Sequence, residues 1–269
     1  MLHLPPRAFD VALRQRMGNE IITVRDLVKK YDNLLAVDGI SFSVHEGEIL
    51  GLLGPNGAGK TTTLEIIETL REKTSGTVTV CGYSVDTHPN EIKKRIGVQL
   101  QAAGYYPNIT LRDQISLFAG LYDRDADADE MLALVGLQEK AGAKYKELSG
   151  GQKQRFSVCT TLINDPKIVF LDEPTTGLDP QARRNLWELI KSVRDSGKTV
   201  VLTTHYMDEA EYLCDRVAII NHGKIIHLDT PEQLIDNLLA SGFERLKAVK
   251  KANLEDVFLS LTGTELRDE

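Results

Sequence analysis

The residues best equipped for chemistry are Gly54-Pro55-Asn56-Gly57-Ala58-Gly59-Lys60-Thr61, with Thr62 directly after them. Their spacing is G-x-x-x-x-G-K-[ST]. Glycines let successive backbone N–H groups turn inward around a polyphosphate, and a helix starting where the loop ends adds the positive end of its dipole. A lysine at this place reaches the β- and γ-phosphates, and a threonine hydroxyl after it can ligate magnesium. The apolar run Glu48–Leu53 before the loop and the helical pattern from about Lys60 to Leu70 supply the strand–loop–helix context that the motif requires.

Two acids end another apolar run. Ile168-Val169-Phe170-Leu171-Asp172-Glu173 reads as a buried strand with a carboxylate pair at its end. Parallel sheets bind ligands at the carboxyl ends of their strands, so Asp172 falls where it can hold magnesium, directly or through water. Glu173 projects differently and can polarise an attacking water. Leu148-Ser149-Gly150-Gly151-Gln152 opens a further helix. Ser149 is its N-cap, and the glycines expose N–H groups at the helix N-terminus, a second place for an anion.

The elements that must position these groups alternate between strand and helix, as in an α/β sheet. Ile21–Val24 and Ile40–Val44 alternate like half-buried strands, while Gly76–Cys81 and Arg95–Leu100 read as further strands. From about Ala102 to Ile163 the pattern turns mainly helical, over Leu111–Tyr122, Ala128–Val135 and Gln152–Leu162. Strands return at Lys167–Asp172, Thr199–Thr204 and Arg216–Asn221, separated by helices near Ala182–Arg194 and Met207–Leu213. Lys224–Leu228 reads as a strand, Pro231–Leu239 as a helix with Pro in its first turn, and Leu254–Leu261 as a short amphipathic helix. The expected division is a domain over 20–222, with a core of about 20–101 and 164–222, a helical insert of about 102–163, and a short extension over 223–269.

Composition narrows the function classes. The 269 residues carry a formal net charge of −7, a poor basis for binding nucleic acid through overall charge. No stretch approaches a membrane span, and the first twenty or so residues lack the apolar segment and cleavage site of a secretory signal. Cys81, Cys159 and Cys214 stand far apart without CxxC spacing, so they read as reduced core thiols of a cytosolic protein. The alternating acids Asp123, Asp125, Asp127 and Asp129 lack the Gly and Glu of a calcium loop in either register. They read as a solvated loop leading acids into a helix N-terminus. Trp187 reads as a packing residue.

Taken together, the motifs resemble the ATP-binding subunit of an ABC transporter. Gly54–Thr61 matches the Walker A loop of that family, Leu148–Gln152 its signature, Ile168–Glu173 its Walker B strand, Gly177-Leu178-Asp179 its D-loop and His205 its switch histidine. The resemblance covers about Ile21 to Asn221. It implies a P-loop NTPase core with a mainly parallel sheet, an antiparallel β subdomain and an inserted helical subdomain. It also implies ATP and Mg2+ as cofactors, with Gly54, Pro55, Asn56, Gly57, Ala58, Gly59, Lys60, Thr61 and Thr62 around the nucleotide. Tyr31 stands in the place of the adenine-stacking aromatic. Glu173, His205 and Gln101 take the catalytic positions, with Thr61, Gln101 and Asp172 toward the metal. Gln101 follows Ile-Gly-Val-x-x-Gln, with Gln99 competing two residues earlier. Ser149, Gly150, Gly151, Gln152 and Asp179 would act in trans on the ATP of a second subunit.

The segment Leu254-Glu255-Asp256-Val257, followed by Phe-Leu-Ser-Leu-Thr-Gly, resembles the ending of bacterial ABC-2-type exporters, a group that includes drug- and antibiotic-resistance pumps. Ser157-Val158-Cys159-Thr160-Thr161 departs from the Ala-rich run usual after the signature, but its small side chains still permit close packing. The expected partners are a second ATP-binding subunit, the same or a homologue, and a membrane-spanning permease docking on Gln101–Ile109, where Gly104, Tyr105, Tyr106 and Pro107 would line a groove. That places the protein peripherally on the cytoplasmic face of the cell membrane, with no nucleic acid partner. The rival expectation is a non-transport ATPase of the same family, acting on ribosomes or DNA.

Overall fold

The computed structural model describes residues 19–99 and 104–243 together with Val257, Ser260 and Leu261. Two sheets carry the chain. A four-stranded antiparallel sheet of order β2-β1-β4-β5 is built from β1 (Glu20–Tyr31), β2 (Leu34–His45), β4 (Ser75–Val80) and β5 (Tyr83–Ser84). A six-stranded sheet of order β10-β9-β3-β8-β7-β6 contains β3 (Ile49–Leu53), β6 (Ile96–Gln99), β7 (Ile168–Asp172), β8 (Thr199–Thr204), β9 (Arg216–Asn221) and β10 (Lys224–Asp229). Its strands run parallel from β9 through β6, and β10 closes one edge antiparallel.

The central parallel strands β3, β7 and β8 are buried throughout because both faces are covered. Ile49, Leu53, Val169, Leu171, Val200 and Leu202 point into one apolar cluster, shared with α6 (Pro180–Asp195), α7 (Met207–Leu213) and the helical block. The alternating residues Leu50, Leu52, Ile168, Phe170 and Val201 point into the other, shared with α1 (Lys60–Ile67) and the antiparallel sheet. Period-2 alternation thus divides one continuous sheet between two cores.

Three elements differ from their sequence outlines. The strands expected at Ile21–Val24 and Ile40–Val44 are parts of twelve-residue strands. Asp26 has φ of 47° and donates its N–H to Ser41 Oγ at 2.8 Å, forming a bulge that breaks the alternation between Val24 and Leu27. Helix α1 ends at Ile67 rather than near Leu70. Thr69 takes a left-handed φ of 65°, and the Thr69 and Leu70 N–H groups donate to the Ile66 and Glu65 carbonyls, a Schellman stop without glycine. Cys159 and Cys214 are buried as expected, but Cys81 is only half-buried, in the β4–β5 turn with φ of 50°.

The helical block comprises α3 (Leu111–Leu121), α4 (Ala128–Leu134) and α5 (Gly150–Thr161), with the short α2 (Pro89–Lys93) preceding β6. Asp127 caps α4, accepting from the Asp129 and Glu130 N–H groups at 2.8 and 3.2 Å, so the acidic run is a solvated loop feeding a helix start. Tyr105 is sunk among Phe118, Tyr145 and Phe156, and its hydroxyl meets Ser157 Oγ at 2.9 Å and Thr160 Oγ1 at 3.1 Å. Helix α8 (Pro231–Ala240), with Pro at its first position, contributes Leu234 and Leu238 to the first cluster, and helical Val257 is buried there too. The rest of the expected helix over Leu254–Leu261, apart from Ser260 and Leu261, lies outside the described residues, as does Gln101.

The block is seated on the sheet through a bare backbone contact. A Cβ on Gly97 of β6 would stand 1.9 Å from the carbonyl oxygen of Thr161 at the end of α5. The small run at 157–161 suits this approach, with Ser157, Val158, Cys159 and Thr161 buried. Gly97→Ala should therefore cost about 1–3 kcal/mol or more of stability, because backbone must move to admit the methyl group. Urea unfolding checks this, and an unchanged midpoint would show that α5 and β6 are not in contact.

Candidate active site

The glycine loop sits at the carboxyl edge of the parallel strands, held from behind by carbonyl oxygens. A Cβ on Gly54 would lie 2.2 Å from Ile220 O, and one on Gly59 would lie 2.4 Å from Ala36 O. Gly59 also has φ of 100° and Gly57 φ of 77°, so the loop needs glycine for both space and backbone conformation. Gly54 N–H donates to Thr204 O at 3.3 Å. Gly59 is the N-cap of α1 and brings no side chain to the helix end. An N-terminus left this way is the arrangement an anion completes.

A cleft of about 530 Å³ opens over the loop, lined by Tyr31, Asn56 to Thr62, Glu173, Thr176, His205 and Tyr206 among others. Lys60 Nζ donates to Gly54 O at 2.8 Å and Pro55 O at 3.1 Å and lies 3.5 Å from Glu173 Oε1. Thr61 Oγ1 donates to the two Asp172 carboxylate oxygens at 3.2 and 3.3 Å. Thr203, on the neighbouring strand β8, donates its hydroxyl to Asp172 Oδ1, and Thr203 Oγ1 in turn accepts the Glu173 N–H at 3.0 Å. A hydroxyl and a carboxylate converging from two elements are a hard oxygen donor set, which fits Mg2+.

Asp172 ends β7, and Glu173 immediately reverses the backbone with φ of 47°. This uncommon conformation aims consecutive acids at different partners. Glu173 Oε2 lies 3.3 Å from His205 Nδ1, at ion-pair distance but off the hydrogen-bond direction, and accepts from Thr176 Oγ1 at 3.3 Å. The facing His205 and the Lys60 ammonium hold the Glu173 carboxyl down to about 2, against the effect of burial. Burial pushes Asp172 up, opposed by the Thr203 and Thr61 hydroxyls. Neighbouring carboxyls with opposite shifts are suited to different tasks. Burial lowers Lys60, while Glu173 and Asp172 act to keep it charged.

Tyr31 ends β1 beside the cleft, with Lys29 Nζ 4.8 Å and Arg71 Cζ 5.4 Å from its ring centroid. Ser149, Gly150, Gly151, Gln152 and Asp179 do not line the cleft. Ser149 and Gln152 exchange capping hydrogen bonds at the start of α5, and Asp179 caps α6 by accepting from the Gln181 and Ala182 N–H groups. The two helix starts touch, since a Cβ on Gly151 would meet Ala182 Cβ at 2.9 Å. Gln99, the competitor of Gln101, is buried at the end of β6.

Sequence reasoning missed the loop's support. Gly223 N–H donates to Ala58 O at 3.0 Å, and Gly223 O accepts from Asp38 N–H at 2.8 Å, so the β9–β10 turn ties the loop to the first hairpin. This turn spans the expected division between 222 and 223. His222 and Gly223, with φ of 47° and 75°, form the tight turn, and the Asn-His-Gly-Lys sequence was its available signal. Thr203, between two motifs, carried no signal beyond a β-branched residue in a strand.

Residues 37–176 match the family model described as ABC transporter. The chain is 38% identical over 299 residues to the Nod factor export ATP-binding protein I of Burkholderia orbicola (strain AU 1054), covering 92% of this chain and 98% of that protein. It is 37% identical over 306 residues to the protein of the same name from Ralstonia nicotianae (strain ATCC BAA-1114 / GMI1000), covering 92% and 95%. A solved ATP-binding subunit of an ABC transporter superposes with a TM-score of 0.76 at 26% identity, over 90% of this chain and 99% of that one. A dimeric ATP-binding cassette in a post-hydrolysis state bound to ADP and Pi superposes with a TM-score of 0.70 at 27% identity, over 78% and 98%.

Because Glu173 is depressed to about 2 from 4.5, its ionised form stabilises the fold fully above pH ~4.5, and that contribution is lost as pH falls toward ~2. The melting-temperature gap between the native protein and Glu173→Gln should be widest near neutrality and shrink below pH ~4.5. A gap that does not change with pH would mean that the Lys60 and His205 contacts do not hold the carboxylate.

Proposed function

Since the chain belongs to the ABC transporter family and is an ATP-hydrolysing, ATP-binding subunit, we propose how its own residues carry out that work and what it powers. The relatives named as export ATP-binding proteins support a reading within the ABC-2-type exporter group, in which its activity drives transport out of the cell through a separate permease. The observation that carries the residue assignments is the meeting of Lys60, Thr61, Glu173 and His205 in one cleft over an open helix N-terminus, with buried Asp172 hydrogen-bonded to Thr61.

In this reading, Tyr31 stacks on adenine, and Gly54, Pro55, Asn56, Gly57, Ala58 and Gly59 surround the phosphates. Lys60 leaves the Gly54 and Pro55 carbonyls for the β- and γ-phosphate oxygens, and Thr62 adds to the loop's anion-binding end. Thr61 and Asp172 hold magnesium, with Gln101 toward the same ion from outside the described residues. Magnesium supplies neutralisation of the phosphate charge. Glu173 takes a proton from the water that attacks the γ-phosphorus, the bond to the ADP oxygen breaks, and His205 holds the departing phosphate. With its carboxyl near 2, Glu173 is a weak base while Lys60 and His205 face it. A γ-phosphate that draws the Lys60 ammonium and the His205 ring away leaves a stronger base beside the water.

The chain-division reading accompanies this one: a helical block of about 102–163 set into a core of 20–101 and 164–222, followed by the extension 223–269. Ser149, Gly150, Gly151, Gln152 and Asp179, away from this cleft, are proposed to complete the site of a second subunit. The permease is proposed to dock on the helical block. Tyr105 is packed inside, so Gly104, Tyr106 and Pro107, with Leu117 and Leu121 of α3, offer the exposed surface. No helix among the described residues is long and apolar enough to cross a membrane, and the proposed location is the cytoplasmic membrane face, held there by the permease. The ribosome- or DNA-directed alternative is not favoured, because the relatives are export proteins.

Glu173→Gln should retain ATP binding and accumulate ATP-bound dimers while hydrolysis falls by on the order of a hundredfold or more. Lys60→Ala should weaken nucleotide binding or turnover severely. A phosphate-release assay with light scattering reads the first, and undiminished turnover would remove Glu173 as the base. Gentle membrane extraction should bring down a membrane protein with this chain; ribosomes in its place would favour the alternative.

A further inference from the structure

Glu209 is completely buried and does not line the cleft. It lies on α7, four residues after His205. Its Oε1 accepts the Trp187 indole N–H at 3.0 Å, and the hydroxyls of Thr204 and Thr175 stand beside the carboxyl. These neighbours come from three places that matter to the site. Trp187 belongs to α6, which starts at Asp179; Thr175 follows Glu173 by two residues; and Thr204 directly precedes His205. Thr204 also anchors the phosphate loop, since its carbonyl accepts the Gly54 N–H.

A second contact runs in parallel. Arg183 and Trp187 lie at i and i+4 on one face of α6. The Arg183 guanidinium lies 4.3 Å from the Tyr206 ring centroid, and its Nη1 lies 3.3 Å from Asp208 Oδ2. Tyr206 in turn packs against His205, with ring centroids 4.1 Å apart. One face of α6 therefore grips the turn that carries His205 at Tyr206, Asp208 and Glu209.

An apolar residue of similar size would be cheaper to bury than a carboxyl. The pairing here is also incomplete: although the Thr175 hydroxyl stands beside the carboxyl, Glu209 Oε2, Thr175 Oγ1 and Arg183 Nε are all buried without a well-directed hydrogen bond. Orphaned buried polar atoms are exceptions that call for a reason.

We propose that Glu209 is a positioning residue which, with Trp187 and Arg183, clamps α6 to the His205 turn. Displacement of the Asp179 end of α6 then changes how His205 meets Glu173. The inference rests on the catalytic roles proposed above for His205 and Glu173. It adds a route from the D-loop to the base of the same chain that does not pass through the nucleotide.

The test separates positioning from mere packing. Glu209→Leu fills the same space without the acceptor, and kcat should fall by on the order of tenfold to a hundredfold with little change in ATP-analogue binding. Glu209→Gln keeps an acceptor for the indole N–H and should restore most of that loss. The chain has one tryptophan, so intrinsic emission reads the Trp187 bond directly, and its response to ATP should disappear in Glu209→Leu. If that variant does not fold, Trp187→Phe should show the same selective loss of kcat. Wild-type kcat in folded Glu209→Leu would overturn the proposal. So would a loss of kcat matched by lost binding and lowered melting temperature, with Gln no better than Leu. Absence of ATP hydrolysis in the native protein would instead remove the functional reading beneath it.

Discussion

The site depends on backbone packed against backbone where no side chain fits. Gly54 and Gly59 bring the phosphate loop within van der Waals reach of the Ile220 and Ala36 carbonyls, and Gly223 closes the frame with hydrogen bonds to Ala58 and Asp38. Contacts of this kind leave little freedom to relax, because neither partner can rotate away as a side chain would. Strand β9, the turn after it and the first hairpin therefore fix the height of the loop above the sheet. The loop's N–H groups can then face the cleft, and α1 can start without a cap of its own.

Charge within that frame is arranged to be redistributed. Lys60 is satisfied by two loop carbonyls and a carboxylate, and Glu173 by a lysine, a threonine and a facing histidine. Each interaction satisfies a group that would otherwise be buried at a cost. Each is also of a kind that a polyphosphate can replace with stronger, charge-assisted contacts. Glu68, at the end of α1, has a carboxyl pushed up to about 8 by burial and by the nearby Asp172 and Glu65.

Much of this was legible in the sequence because it is local. A glycine loop between an apolar run and a helix, a carboxylate pair at the end of a buried strand, and Ser149 three residues before Gln152 each state their geometry within a few residues. What was hidden depends on distant partners or on unusual residues in familiar conformations. Asp26 hides a bulge and Thr69 stops a helix in the left-handed conformation that glycine usually supplies. Gly97 and Gly223 show their purpose only when Thr161 and Ala36 are brought beside them from elsewhere in the chain. Thr203 and Glu209 read as ordinary strand and helix residues, because nothing in their neighbours reveals Asp172 or Trp187.

The helix starts around the site divide into two kinds, and the division bears on how the surfaces are used. Helix α1 begins at a glycine that offers no cap, so its end is open to a ligand from the same chain's cleft. Helices α5 and α6 begin at Ser149 and Asp179, whose side chains satisfy N–H groups of the first turn. In α5 the reciprocal bonds between Ser149 and Gln152 consume the Gln152 N–H while the earlier glycine N–H groups precede the capped position. That helix end therefore stands preformed and ordered before any phosphate arrives. A surface preformed in this way loses little conformational freedom on meeting a ligand presented by another subunit. Because α5 is seated on β6 at Gly97 and touches α6 at Gly151, a shift of either helix start must move against packed neighbours. That is the condition for a contact at one surface to be felt at the other.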